Sequence, residues 1–445
     1  MKKSLTILGP GDTLRNGSPG IVLMDDQWYA QDLFTKYHER LELAPGVEPF
    51  QKGSRLGFRL TRERREELDQ LNVAQAHVLF YVSNDTHVKT CAPIARRCQS
   101  FTFVVPAVAD SGATPALIRE GLPFEVCNRS MEALNRAELA VVGNDWGFEE
   151  RLFLQYCRRR DIPTVCLQES TNVDFGPHPY RMQWADYVFA QGPYSLKYLS
   201  RKLYFLTGNP RYDDFEPSPP PASPMVLINS NFMYGHGTQW ARAWIEEVVE
   251  TVKAQGLPFR ISAHPRDCAD LTGLENVVPS SAYTIRDQIQ NATLLISRFS
   301  SLPYEALLLN RHAVYYNPFG EPERHLNEDN SGLIHKCYSR AELDTCLKSL
   351  VVEPPLSERN GDIHTAYSDF FTRVDGRSSQ RVLRALGLIA RFRERYPAND
   401  ARKESYLKAR NKMFFIKTLR PPVQRLPWAR SLWQTVKKVS TPGKT

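Results

Sequence analysis

The chain has no Asp-x-Asp triplet, no Cys-x-x-Cys pair and no long uncharged apolar run. Each absence removes a class of function. Without Asp-x-Asp there is no paired-carboxylate anchor of the kind that holds a nucleotide through a divalent cation. The ten histidines show no zinc-like spacing with cysteine or glutamate, so no metal is expected. The eight cysteines (91, 98, 127, 157, 166, 268, 337 and 346) are scattered, several in apolar contexts. That usage implies reduced thiols and a cytoplasmic protein rather than a disulfide framework. No stretch approaches the ~18 apolar residues of a membrane span. The short apolar run after Met1-Lys2-Lys3 stops at Gly9-Pro10, which is too short for a signal peptide and fits a first strand.

What is present begins with size. At 445 residues the chain is long enough for two domains with substantial cores. The net charge of +8 is misleading until it is located. Residues 401–445 hold twelve Lys and Arg against one acid, Glu404, about +11, so the first 400 residues carry about −3. The body is near neutral and has no basic stripe, which argues against a nucleic-acid partner. The tail combines Met413, Phe414, Phe415, Ile416, Trp428, Leu432, Trp433 and Val436 with cations, a composition suited to an anionic membrane surface. The expectation is therefore a cytoplasmic protein, peripheral at the cytoplasmic face of the inner membrane through residues 401–445.

The first half alternates apolar runs with helical stretches: strands near 5–8, 21–24, 78–82, 101–105, 139–142, 164–167 and 187–190, and a helix over 149–160. Such alternation implies a parallel sheet covered on both faces. Residues 34–70 are charged and show no clear period. Five prolines in residues 216–224 form an extended connector. A second alternating unit then starts at 225. The predicted organisation is α/β: a Rossmann-like acceptor domain (1–207), a linker (208–224), a second Rossmann-like nucleotide domain with closing helices (225–400) and a basic tail (401–445). Two such domains facing a cleft constitute the GT-B arrangement.

Candidate chemistry gathers at strand ends. The strand 259–263 ends in His264-Pro265-Arg266, where the proline keeps His264 out of the helical region. Histidine plus arginine suits a phosphodiester. The strand 294–297 leads through Arg298-Phe299-Ser300-Ser301 into a helix with Pro303 in its first turn, a ready anion site. Glu305, one turn in and too far from Ser301 for a capping box, is placed to reach a ribose hydroxyl. If both strands share one sheet, His264, Arg266, Ser300 and Ser301 converge at its carboxyl edge. In the first domain, Gln168-Glu169 and Asp174 follow the strand 164–167, where carboxylates serve general acid/base work. Asp145 is a second candidate. The Gly9-Pro10-Gly11 and Gly443-Lys444-Thr445 segments mimic nucleotide-binding loops but lack their remaining residues.

Assembled in order, these motifs resemble the β-Kdo transferases of bacterial capsule and lipopolysaccharide O-antigen synthesis. The resemblance rests on His264-Pro265, on the Gln168-x₅-Asp174 pattern, and on Ser300-Ser301-x-x-Tyr304-Glu305-Ala306-Leu307 followed by Tyr316-Asn317-Pro318-Phe319. It implies a CMP-Kdo donor, a glycan or lipid-linked glycan acceptor, a β-linkage formed with retention, and no metal cofactor. It also implies a carboxylate nucleophile after the first strand of the second domain, where this chain has Asn229-Ser230-Asn231. An amide is a far poorer nucleophile, so Asn231 stands where Asp is expected, and Asn231→Asp is expected to raise transfer. Two other classes remain open: a CDP-glycerol-type or inverting CMP-sugar transferase, and a non-catalytic nucleotide- or glycan-binding scaffold.

Overall fold

The computed structural model describes residues 5–14, 20–25, 27–30, 41–52, 55–71, 76–107, 111–127, 132–145, 147–170, 182–197, 203–232, 237–321, 324–350, 363, 367, 373–396 and 398. Asp174, the loop 233–236 and the basic tail lie outside these residues, as does the surface-anchor expectation for 401–445.

Two parallel sheets carry the fold. The first has ten strands in the order Leu41–Leu43, Leu5–Leu8, Gly20–Leu23, Leu203–Leu206, Tyr187–Ala190, Thr164–Leu167, Leu139–Val142, His77–Tyr81, Ser100–Val105 and Phe124–Val126. Runs such as Leu139–Val142 and His77–Tyr81 are buried at every position. That is what helices on both faces of a parallel sheet demand, and it is why these strands read as unbroken apolar runs. The second sheet has six strands: Val277–Pro279, Phe259–Ala263, Val226–Asn229, Leu294–Ser297, His312–Tyr316 and Ile334–Cys337. The strands ending at His264 and at the serine turn thus lie in one sheet, with Val226–Asn229 between them.

Strand order reverses between His77–Tyr81 and Leu139–Val142 in the first sheet, and between Val226–Asn229 and Leu294–Ser297 in the second. Open α/β sheets bind ligands in the crevice outside the carboxyl ends at such a reversal. The residues leaving those four strands are therefore the ones to inspect.

Two features were not legible in the chain. Residues 27–60 contain a three-stranded antiparallel sheet, Gln27–Ala30, Arg55–Leu60 and Val47–Lys52. The helix Ser378–Phe392, which follows the second sheet in sequence, returns to the first domain, where Val382, Ala385, Leu386, Leu388 and Ile389 join its core. Asp213 receives that helix, accepting the Ser378 and Ser379 backbone N–H groups at 2.7 Å each. A carboxylate placed there satisfies otherwise orphaned donors and complements the positive end of the helix dipole.

Candidate active site

On the first-domain side, Glu169 leaves the strand Thr164–Leu167. Its backbone is fixed by Asn209 of the connector, whose Nδ2 donates to the Gln168 and Glu169 carbonyls at 3.2 and 3.1 Å. Gln168 is spent internally: Oε1 accepts from Gln191 N–H at 2.8 Å and Ser195 Oγ at 2.9 Å. The Glu169 side chain keeps 29% exposure, and its Oε2 lies 3.4 Å from Nε2 of His87. Sequence reasoning missed His87. It sits in the first turn of the helix Asp85–Ala95, whose N-cap Asn84 accepts the His87 backbone N–H at 2.8 Å. A lone histidine in a helical stretch carries no motif. Its only sequence signal is an Asn-Asp cap just past an apolar strand.

Asp145 does not face the crevice. It is fully buried, and its carboxylate accepts the backbone N–H groups of Met182, Trp184 and Ala185 at 2.5, 2.6 and 3.1 Å. It organises the turn into the next strand.

On the second-domain side, His264 Nδ1 accepts the Arg266 backbone N–H at 3.1 Å, so the proton of the neutral ring lies on Nε2, a donor. Burial, then the neighbouring Arg266 charge, pushes the His264 pKa down to about 4. The unfolded chain takes up a proton near pH 6.5 that the folded chain declines until about 4. The stability from neutral His264 is therefore present above pH 6.5 and lost as pH falls towards 4, about 2 kcal/mol by pH 5. The unfolding free energy of His264→Gln is expected to fall less than that of the wild type between pH 7.5 and 5; equal slopes overturn this.

Ser300 Oγ accepts the Leu302 N–H at 3.1 Å, at the entry to the helix Leu302–Leu308. A hydroxyl that accepts still has its proton to give. Glu305 differs from expectation. It is 1% exposed, and Arg211 Nη2 meets its Oε2 at 3.1 Å, while Tyr212 Oη and Ser301 Oγ donate to Oε1 at 3.3 and 3.4 Å. The carboxylate faces the interdomain connector. Asn231 also turns inward. It adopts φ 45°, a left-handed conformation asparagine tolerates, and donates its Nδ2 to the Phe299 carbonyl. Arg298 holds the Asn231 carbonyl at 3.1 Å and pairs with Glu321. Asp267 accepts from Ser230 Oγ and from the Phe232 and Ala269 N–H groups.

Arg211 is where the two sides meet. Burial lowers its pKa, but Glu305, then Tyr212, Glu169 and Asp85 raise it to a net increase. Beside it, Asp85 Oδ2 accepts the Ala282 N–H at 2.8 Å while Lys89 Nζ donates to the Ala282 carbonyl at 3.0 Å, so one first-domain helix grips a second-domain residue by both polar groups. Among the described residues no cluster of three or more His, Cys, Asp or Glu is placed to hold a metal ion, and no helix is long and apolar enough to cross a membrane.

No family model matches the sequence, and no curated protein matches it. Solved structures do resemble it. The S. aureus MnaA–UDP structure matches with a TM-score of 0.50 at 12% identity over 69% of this chain and 95% of that one. The wall teichoic acid polymerase TagF matches with 0.48 at 13% identity over 74% and 91%. The spinosyn rhamnosyltransferase SpnG with thymidine diphosphate matches with 0.45 at 12% identity over 69% and 100%. At these identities the likeness is one of fold: the chain is an α/β protein of two Rossmann-like domains in the GT-B arrangement.

Proposed function

We propose that the chain is a glycosyltransferase that moves a sugar from a nucleotide-activated donor to a glycan or lipid-linked glycan acceptor at the cytoplasmic face of the membrane, without a metal. The single observation carrying this reading is the connector: Asn209 Nδ2 donates to the Glu169 carbonyl at 3.1 Å, and Arg211, two residues on, pairs at 3.1 Å with Glu305 of the helix that follows Ser300 and Ser301. That segment ties the proposed proton acceptor to the serine turn proposed to take the phosphate. CMP-Kdo is the donor, a choice that rests on the His264-Pro265, Gln168-x₅-Asp174 and Ser300-Ser301 motifs.

In the reaction, the Glu169 carboxylate takes the proton of the acceptor hydroxyl as its oxygen bonds to the anomeric carbon. The bond from that carbon to the phosphate oxygen breaks, and CMP leaves with the electron pair. His264 Nε2–H, Arg266 and the Ser300 hydroxyl receive the phosphate charge. The inward-turned amide of Asn231 favours direct displacement, with inversion, over a two-step route through a carboxylate at that position. The retaining reading keeps one specific support, the sequence resemblance.

One experiment separates these. The full chain is incubated with CMP-Kdo and a saccharide acceptor, in parallel with CDP-glycerol, following nucleotide release, acceptor elongation and the anomeric configuration by NMR. CMP release with an inverted Kdo linkage is expected; CDP-glycerol turnover, or no transfer at all, overturns the proposal. Asn231→Asp is expected to bring no gain, because its carboxylate would face the Phe299 carbonyl. A rise of about 10³-fold or more would instead establish double displacement with retention.

A further inference from the structure

His87 is 1% exposed, and every polar atom of its ring is engaged. At Nδ1, the Ser83 backbone N–H donates at 3.3 Å and Ser83 Oγ lies at 3.3 Å. At Nε2 are Glu169 Oε2 at 3.4 Å, Asn84 Nδ2 at 3.3 Å and the Asn144 side-chain amide at 3.2 Å. A backbone N–H can only donate, so Nδ1 presents its lone pair and the ring proton sits on Nε2, towards Glu169. Asn84 keeps its Nδ2 at 3.3 Å because its Oδ1 accepts the His87 backbone N–H, so that amide presents a donor to the same nitrogen; Asn144 agrees once its amide is turned over. Its Oδ1 is buried without a partner as placed, and exchanging O for N sets an acceptor beside Nε2–H. The ring has no room to move, because a Cβ on Gly143 would lie 2.5 Å from His87 Cδ2. The ring also occupies the strand-order reversal between His77–Tyr81 and Leu139–Val142, where the helix Asp85–Ala95 begins.

We infer that His87 is the positioning residue of the site: through Nε2–H it orients the Glu169 carboxylate and stabilises its ionised form. This rests on Glu169 being the proton acceptor proposed above. A hydrogen bond to the charged form of a carboxylate favours that form. Arg211 on the connector is a further charged group that interacts with Glu169, and changing His87 leaves it in place.

The test compares His87→Phe, which keeps a ring and loses the donor, with His87→Gln, which keeps a donor. In His87→Phe the acidic limb of the kcat/KM profile is expected to move up by about one pH unit, transfer to fall about tenfold at pH values well below the limb, and CMP affinity to hold. His87→Gln is expected to keep the wild-type limb. An unmoved limb in His87→Phe, or equal shifts in both variants, overturns the inference. Should His87→Phe fail to bind CMP, the imidazole ¹⁵N shifts of wild type decide, assigned by difference from His87→Gln: a proton on Nε2 supports the role and a proton on Nδ1 overturns it. Wild-type transfer in Glu169→Gln would defeat the functional reading itself, leaving the tautomer assignment standing.

Discussion

Glu169→Gln is expected to lower kcat for transfer about 10³-fold while CMP affinity stays within about twofold. The substitution is nearly isosteric, and the backbone at 168–169 is held from outside by Asn209, so geometry survives. What disappears is the ability to take a proton. The size of the effect follows from what the neighbouring carboxylates are doing. Asp145 binds three backbone N–H groups, Asp85 binds Ala282, Asp267 binds Ser230 and two N–H groups, Glu305 binds Arg211, and Glu321 binds Arg298. None of the five can stand in. A loss of less than about tenfold, measured as Kdo transferred per enzyme at saturating CMP-Kdo, would move the proton-accepting role elsewhere, Asp174 being the first alternative to test.

The sequence showed the fold where physics makes it local. Strands such as Leu139–Val142, buried on both faces, appear as apolar runs, and the prolines of 216–224 can only be a connector. Leu203–Leu206 escaped notice although it lies in the middle of the first sheet, because four apolar residues beside a connector have no period to reveal them. The meander of 27–60 escaped for a different reason: Arg55, Arg59 and Glu48 interrupt any clean alternation, and its pairing is set by cross-strand partners. At the site, residues that act through their own strand end were readable. His264 is defined by the proline after it. Residues whose role comes from a distant partner were not. Glu305 has a single local neighbour, Ser301, and its main partner stands 94 positions away in the chain. Asn231 resembles a vacant nucleophile position until the left-handed backbone and the Phe299 carbonyl are seen.

The ion pair of Arg211 and Glu305 carries the largest expected effect on stability. Arg211→Met is expected to cost about 3–5 kcal/mol, because it leaves the Glu305 carboxylate, 1% exposed, without its charge partner. In a domain of this size that corresponds to a fall in melting temperature of roughly 10 °C. Tyr212 and Ser301 would still donate to Oε1, but a neutral hydroxyl compensates a buried charge only in part. Arg211→Met/Glu305→Gln is expected to regain most of the lost stability, since no charge is then buried unpaired. Activity separates the two readings of Glu305. If its carboxylate is an anchor, Glu305→Gln alone destabilises by leaving Arg211 unpaired and does not weaken CMP beyond that loss of folded protein. A carboxylate that served a ribose hydroxyl would give the opposite pattern, an unchanged melting temperature with weakened CMP binding. The connector explains why the anchor matters for catalysis. Asn209 fixes the backbone of Glu169, and Arg211, two residues later, fixes the helix that begins beyond Ser301. One short segment therefore sets the distance between the proton acceptor and the phosphate site, and loosening it is expected to lower kcat as well as stability.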